Sequence, residues 1–277
     1  VIEPTEKRRL LDAVCGIARD AGRAILEVYA RDFAVALKAD RSPLTEADEI
    51  AHAIIDRSLR ALTPEIPVLS EEAPPEQHAD RRSWTQFWLV DPLDGTKEFL
   101  KRNGEFTVNI ALVIGHEASL GVVLAPALDR LYFGALGVGA WRQDNNDLPE
   151  PIYARRMART PPRVVGSRSH ASGELADYLA ALGPHEITPM GSSLKICLVA
   201  EGAADLYPRL GPTSEWDTAA AQAILESAGG RMIATTGQPL LYNSKEDLLN
   251  PHFLAFGDQR RDWLAPIRSS RGRQSRN

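Results

Sequence analysis

Apolar residues Leu10, Val14, Ile17, Ala21, Ile25 and Val28 recur every three or four positions, which predicts a long amphipathic helix near the N-terminus. A second helix is predicted from Thr45, where Thr45-Glu46-Ala47-Asp48 precedes Ile50, Ile54, Leu59 and Leu62. Between them, Val35 to Lys38 reads as a short strand. PVLS (67–70) and FWLV (87–90) read as buried strands separated by a polar, proline-bearing loop, and FTVNIALVI (106–114) as a longer strand. From Ser119 to Arg142, β-rich runs are broken at Ala125-Pro126 and at Gly134, Gly137 and Gly139, the mark of hairpins. The first half therefore runs from helices into an antiparallel-leaning sheet.

The texture changes near residue 160. Pro161-Pro162 precedes a short strand, RVVG (163–166). Helix-like and strand-like pieces then alternate: 174–182, 192–201, 204–207, 217–227, 231–234, 253–256, and a last helix from about Gln259. Such alternation suggests an α/β layer. The expected organisation is an N-terminal α+β domain over 1–158, a C-terminal α/β domain over 159–267 with a large shared interface, and a basic, Ser-rich tail over 268–277 that reads as a disordered end.

Composition narrows the class. Of 277 residues, 44% are apolar and 25% charged, so a sizeable core is available and wholesale disorder is excluded. A net charge of -5 argues against coating a nucleic-acid polymer or a membrane, and leaves room for a local basic pocket. Cys15 and Cys197 have neither zinc nor redox spacing and read as buried thiols in a reducing compartment. There is no apolar run of membrane-spanning length, and VIEPTEKRRLLDAV lacks the zones of a signal peptide, so a cytoplasmic protein is expected.

Three sets of acids stand at element ends. Glu71-Glu72 closes PVLS, Asp91 and Asp94 close FWLV, and Asp217 heads a helix-like run after Trp216. Singly, each has a bland explanation. Glu71 and Glu72 can be solvated, Asp94 can stabilise a turn before Gly95, and Asp217 can cap its helix, with Thr213 and Ser214 as competitors. Asp48 can form a variant capping box with Thr45. Together these explanations weaken. Asp91 directly follows an apolar strand, where an unpaired carboxylate is expensive, and the next basic residue is Lys97. Carboxylates clustered without matching arginines invite a hard cation, Mg²⁺ in particular. Gly95 and Thr96 follow, and if Thr96 starts a helical turn their amides form an anion site suited to phosphate. A metal beside such amides describes phosphoryl transfer, with Thr96 orienting water and Asp48 polarising its hydroxyl.

The rival reading is the Asp-x-Asp-Gly-Thr pattern of haloacid-dehalogenase-type phosphatases, where one residue separates the nucleophilic aspartate from its partner. Here two residues, Pro92 and Leu93, separate Asp91 from Asp94. That breaks strand alternation and favours convergence on ions over a covalent aspartyl-phosphate.

Glu71-Glu72, Asp91-Pro92-Leu93-Asp94-Gly95-Thr96, and Trp216-Asp217 with Gly229-Gly230 behind it resemble the lithium-sensitive, Mg²⁺-dependent phosphatases of the inositol monophosphatase superfamily. Within it, 96–99 (TKEF), 167–170 (SRSH), 191–195 (GSSLK) and 207–213 (YPRLGPT) are similar to the bacterial 3'(2'),5'-bisphosphate nucleotidases. Those enzymes remove the 3'-phosphate of 3'-phosphoadenosine 5'-phosphate, a by-product of sulfate assimilation. The resemblance implies a layered α/β/α/β/α sandwich and two or three Mg²⁺ ions held by Glu71, Asp91, the Leu93 carbonyl, Asp94 and Asp217. Asp91 would be the shared ligand and Glu72 a helper in placing water. Thr96 with Asp48 would activate the nucleophile, and the Gly95 and Thr96 amides would hold the scissile phosphate. Lys97, His170, Ser192, Lys195 and Arg209 would face a small-molecule nucleotide, though without the resemblance Lys195 and Arg209 read as solvated surface residues. Relatives in this branch are described at the inner face of the cytoplasmic membrane, which nothing in the sequence requires. The competing functions are an inositol or sugar phosphatase of the same superfamily, a non-catalytic Mg²⁺-dependent sensor of a phosphorylated ligand, and a docking protein.

Overall fold

The computed structural model describes residues 2–32, 35–37, 43–166 and 173–274. Helix α1 (Pro4–Tyr29) opens on a proline, whose missing N–H is no loss in a first turn, and buries the expected stripe from Leu10 to Val28. Strands β1 (Val35–Leu37) and β2 (Pro43–Thr45) pair antiparallel and lead into α2 (Glu46–Leu62). The Thr45 hydroxyl accepts from the Ala47 N–H at 3.2 Å, and the Asp48 carboxylate accepts from the Thr45 N–H at 2.8 Å. This is the capping-box variant that the sequence suggests.

Both helices cover one face of a seven-stranded sheet. Its strands lie in chain order: β3 (Val68–Ser70), β4 (Gln86–Asp94), β5 (Thr107–Ile114), β6 (Glu117–Ala125), β7 (Arg130–Ala135), β8 (Gly139–Asp144) and β9 (Glu150–Pro151). Only β3 and β4 run parallel. A short helix, α3 (Thr96–Leu100), follows β4. Along β4 and β5, Trp88, Val90, Val108, Ile110 and Leu112 pack with α1 and α2, while Phe87, Leu89, Ala111 and Val113 join a second core. Both faces of the sheet are buried, which is why these strands read as continuous apolar runs rather than alternating ones.

The second half builds a five-stranded mixed sheet in the order β11 (Glu186–Pro189), β10 (Arg163–Gly166), β12 (Leu206–Arg209), β14 (Phe253–Phe256), β13 (Arg231–Ala234). Helices α5 (Leu194–Ala200) and α6 (Ala219–Ser227) fill the space between the sheets. The alanines of α6 allow close approach: a Cβ on Gly121 of β6 would sit 2.0 Å from the Ala220 carbonyl oxygen. Helices α4 (Gly173–Leu182) and α7 (Ala265–Gln274) cover the outer face, with Tyr178, Trp263 and Ile267 against Val164, Leu206 and Leu254. The layers thus run helix, sheet, helix, sheet, helix.

Strands β2 and β9 are short additions to the sequence reading, and three further details depart from it. Strand β11 was not anticipated, because its residues are mostly exposed and carry no apolar alternation. The last helix starts at Ala265 rather than near Gln259, since Asp258 accepts from the Ala158 and Arg260 N–H groups and holds that stretch as a loop. The stretch from Arg268 to Gln274, expected as part of a disordered end, continues α7, and Arg268 pairs with Asp262. No helix among the described residues is long and apolar enough to cross a membrane.

Candidate active site

Strand β4 delivers two acids to one end of its sheet. Asp91 pairs with Asn109 and Asp94 with Thr107, three residues of advance on β4 against two on β5. The extra residue is a bulge at Pro92, which has no N–H to give the ladder. It lets Asp91 and Asp94 act on the same space although strict alternation would separate them. The Asp91 Oδ1 accepts from the Leu93 N–H at 3.0 Å, which fixes the turn.

The neighbouring strand brings Glu71, whose N–H donates to the Val90 carbonyl at 3.1 Å just past β3. From the second half comes Asp217, in a short 3₁₀ turn at Glu215–Asp217, where its carboxylate accepts from the Ser214 N–H at 2.9 Å. Carboxylate oxygens of Glu71, Asp91 and Asp217 lie within 4.8 Å of one another. Asp94 stands beside them and accepts from the Ser193 N–H at 2.6 Å.

Burial pushes the Asp91 carboxyl well above the usual range, and the charges of Glu71, Asp94 and Asp217 push it further. Asp217 is raised to about 8, first by burial and then by Asp94. Asp94 is raised by burial, against the pull of Lys195 and the Ser193 N–H. Lys195 is itself buried, and desolvation lowers it to about 8 despite Asp94. Four carboxylates thus share a space that this one buried ammonium does not balance. A hard divalent cation with oxygen ligands is what the donor set fits.

A cavity of about 150 Å³ opens beside Asp94 and Asp217. Gly191, Ser192, Tyr207, Arg209 and Thr213 line it, with Lys195 as its second cation. The Lys195 Nζ donates to the Ser192 carbonyl at 2.6 Å and lies 5.6 Å from the centroid of the Tyr207 ring. The Ser192 Oγ and the Arg209 Nε are buried without a hydrogen-bond partner. Gly95, at φ +91°, turns the chain from β4 into α3 and packs against Glu105, Phe106 and Ser192. Thr96 is the first residue of α3, and its hydroxyl donates to the Leu93 carbonyl at 3.4 Å.

A sequence profile of the inositol monophosphatase family matches residues 6–267. The chain belongs to the inositol monophosphatase family. It is 54% identical over 246 residues to the 3'(2'),5'-bisphosphate nucleotidase CysQ of Escherichia coli O157:H7, covering 88% of this chain and 98% of that one. The CysQ of Haemophilus influenzae is 37% identical over 260 residues, covering 94% and 97%. Among solved structures, CysQ from Bacteroides thetaiotaomicron superimposes with a TM-score of 0.79 at 43% identity, covering 91% and 98%. The inositol monophosphatase of Anabaena, at 24% identity, shares the fold with a TM-score of 0.71 over 98% and 97%.

Within this family fold, the anticipated acids Glu71, Asp91, Asp94 and Asp217 come together, and Gly95, Ser192, Lys195 and Arg209 border the same cavity. Lys195 is buried rather than on an exposed helix face. Lys97 is exposed on α3, away from the cavity lining. Glu72 is half-buried at the turn beside Glu71, outside the three-acid group. Asp48 is engaged by Thr45. His170 falls outside the described residues. Thr107, Asn109 and Ser193, which hold Asp94, were not singled out. Their signal was present, since Thr107 and Asn109 are polar residues two apart in an otherwise apolar strand.

Proposed function

We propose that this chain is a Mg²⁺-dependent 3'(2'),5'-bisphosphate nucleotidase that hydrolyses 3'-phosphoadenosine 5'-phosphate to AMP and phosphate. The observation that carries the reading is the set of four carboxylates, undercompensated by Lys195, beside a cavity whose cations are Lys195 and Arg209. In metal-assisted hydrolysis of a phosphate monoester, such acids would hold the metal. A substrate with a second phosphate needs a cationic contact away from the metal, and a planar guanidinium suits that phosphate. The names of the nucleotidase relatives support the same substrate class.

In this reading Glu71, Asp91, the Leu93 carbonyl, Asp94 and Asp217 would hold two or three Mg²⁺ ions. Held there, such ions would supply Lewis-acid polarisation of the phosphate and activation of water. Thr96 orients the attacking water, Asp48 supports that hydroxyl from the start of α2, and Glu72 helps to place water. The amides of Gly95 and Thr96 grip the scissile phosphate. Ser192, Lys195, Arg209 and, from its sequence motif, His170 receive the nucleotide, with Lys97 as an outer cation. Water oxygen bonds to phosphorus, the 3'-oxygen leaves with a proton, and no phosphoenzyme forms.

The test is phosphate release from 3'-phosphoadenosine 5'-phosphate and from inositol 1-phosphate, each with Mg²⁺, with EDTA, and with Mg²⁺ plus Li⁺. The expected result is Mg²⁺-dependent, Li⁺-inhibited release that prefers the nucleotide. Release from inositol 1-phosphate alone would remove the roles given to Lys195 and Arg209. Release from neither would sink the assignment.

A further inference from the structure

Asp94 is gripped through one oxygen by both halves of the protein. Its Oδ2 accepts from the Ser193 N–H at 2.6 Å, from the Asn109 Nδ2 at 3.4 Å, and lies 3.5 Å from the Thr107 hydroxyl. The Ser193 Oγ also sits 2.8 Å from the Asn109 Oδ1 and 2.8 Å from the Thr107 Oγ1. All three side chains are buried, Thr107 and Asn109 completely. Hydroxyls and amides are expensive to bury, and these three satisfy one another around a single carboxylate.

Counting protons gives the chain a direction. Ser193 has one hydroxyl proton, and it goes to the Asn109 carbonyl oxygen, an acceptor only. The single Thr107 proton then goes to the Ser193 oxygen at 2.8 Å in preference to Asp94 Oδ2 at 3.5 Å. With its oxygen held by Ser193, the Asn109 amide is locked with its NH₂ toward Asp94. Loss of the Ser193 hydroxyl removes the bond that holds the Asn109 oxygen and leaves the amide anchored only by its long bond to Asp94 Oδ2. Asp94 Oδ1 takes no bond from this network.

We propose that the Thr107–Ser193–Asn109 chain is a positioning device that sets which oxygen of Asp94 faces the cation. It thereby ties the metal ligand on β4 to the loop that borders the substrate cavity, Gly191 to Ser193. The inference rests on the reading of Asp94 as a cation ligand. Ser193 acts through Asp94 and Asn109 and touches no reacting atom. The Ser193 N–H survives substitution by alanine, so Ser193→Ala removes the hydroxyl chain alone.

The test is Mn²⁺ binding to the full chain, read by electron paramagnetic resonance of the free ion, alongside the Mg²⁺ dependence of phosphate release. Ser193→Ala is expected to weaken Mn²⁺ binding by about tenfold, as for other partners that orient a metal ligand. It should raise the Mg²⁺ concentration for half-maximal turnover in step. Thr107→Ser, which keeps the hydroxyl, should bind Mn²⁺ like the parent, and Thr107→Val should weaken it. If Ser193→Ala fails to fold, the two Thr107 variants decide. Unchanged Mn²⁺ affinity in Ser193→Ala or Thr107→Val, even with a lowered Tm, would overturn the positioning role and leave the cation site standing. A parent protein that takes up no Mn²⁺ would remove the cation site and the proposal with it.

Discussion

Asp91 and Asp205 are equally buried, each 1% exposed, and their surroundings are opposite. Asp205, at the start of β12, faces arginines. Its carboxylate accepts from the Arg159 guanidinium at 3.2 Å and from the Arg163 N–H at 2.8 Å, and Arg155 lies 3.7 Å away. These bonds pin the connection between the two sheets against the second one. Asp91 faces Glu71, Asp94 and Asp217, and its charge is held back by all three. One carboxylate is finished by the protein. The other is not balanced by the side chains around it. Of these two buried acids, the one at the candidate site is the one whose neighbours make its charge harder to hold.

The sharpest break of this comparison is a pair of isosteric substitutions with opposite signs. Asp91→Asn should lower turnover by more than about 100-fold, beyond what partners outside the ligand set contribute. Its unfolding free energy in EDTA at pH 8 should not fall, because like-charge repulsion is relieved. Asp205→Asn should do the reverse. We expect a loss of roughly 3 kcal/mol in denaturant unfolding, with turnover per folded molecule retained. The loss falls at the low end for a broken buried pair because Arg159 and Arg155 are partly solvated. If Asp91→Asn turned over normally, or if both variants destabilised alike in EDTA, the distinction would fail.

The two regions were not equally legible. The acid set at Asp91 could be read from the chain because its members sit at the ends of strong apolar patterns. FWLV runs straight into Asp91, and PVLS into Glu71. The Asp205 cluster could not, since Arg159 and Arg163 stand 46 and 42 residues before it and no local pattern ties them to it. Most elements followed from periodicity, and the layer order from the family resemblance. Strand β11 did not, because an exposed edge strand has only one side to satisfy. The burial of Lys195 was also hidden, for it depends on Tyr207 and Ser192 closing around it from different elements.

Metal and protons should compete at one region and not at the other. The folded-state pKa of Asp217 is raised from 3.8 to about 8, so the folded protein binds its proton more tightly than the unfolded chain does. In EDTA this contribution to stability is full below about pH 4 and is lost as pH rises toward 8. Asp91 and Asp94 shift in the same direction. Added Mg²⁺ should then stabilise most where the cluster is ionised, by about 2.7 kcal/mol at a hundred times Kd. The rise in Tm on adding Mg²⁺ should be larger at pH 8 than at pH 5.5, and Asp217→Asn should flatten the pH dependence seen in EDTA. The Asp205→Asn variant should keep both behaviours. An equal Mg²⁺ shift at both pH values would detach the raised carboxyls from the cation site.

The smallest effect tests how finished the Asp205 region is. Arg155 is 43% exposed and 3.7 Å from Asp205, so its attraction is screened by water. Arg159 is closer and less exposed, and the Arg159 and Arg163 N–H groups also donate to the carboxylate. Arg155→Gln should therefore cost less than about 1 kcal/mol and fade further in high salt. Arg159→Gln should cost more, because its guanidinium donates both to Asp205 and to the Gly202 carbonyl. A large, salt-insensitive loss in Arg155→Gln would mean that Asp205 depends on all its cations. The carboxylate would then be balanced by net charge, as at the Asp91 cluster, rather than by the two backbone donors that set the regions apart.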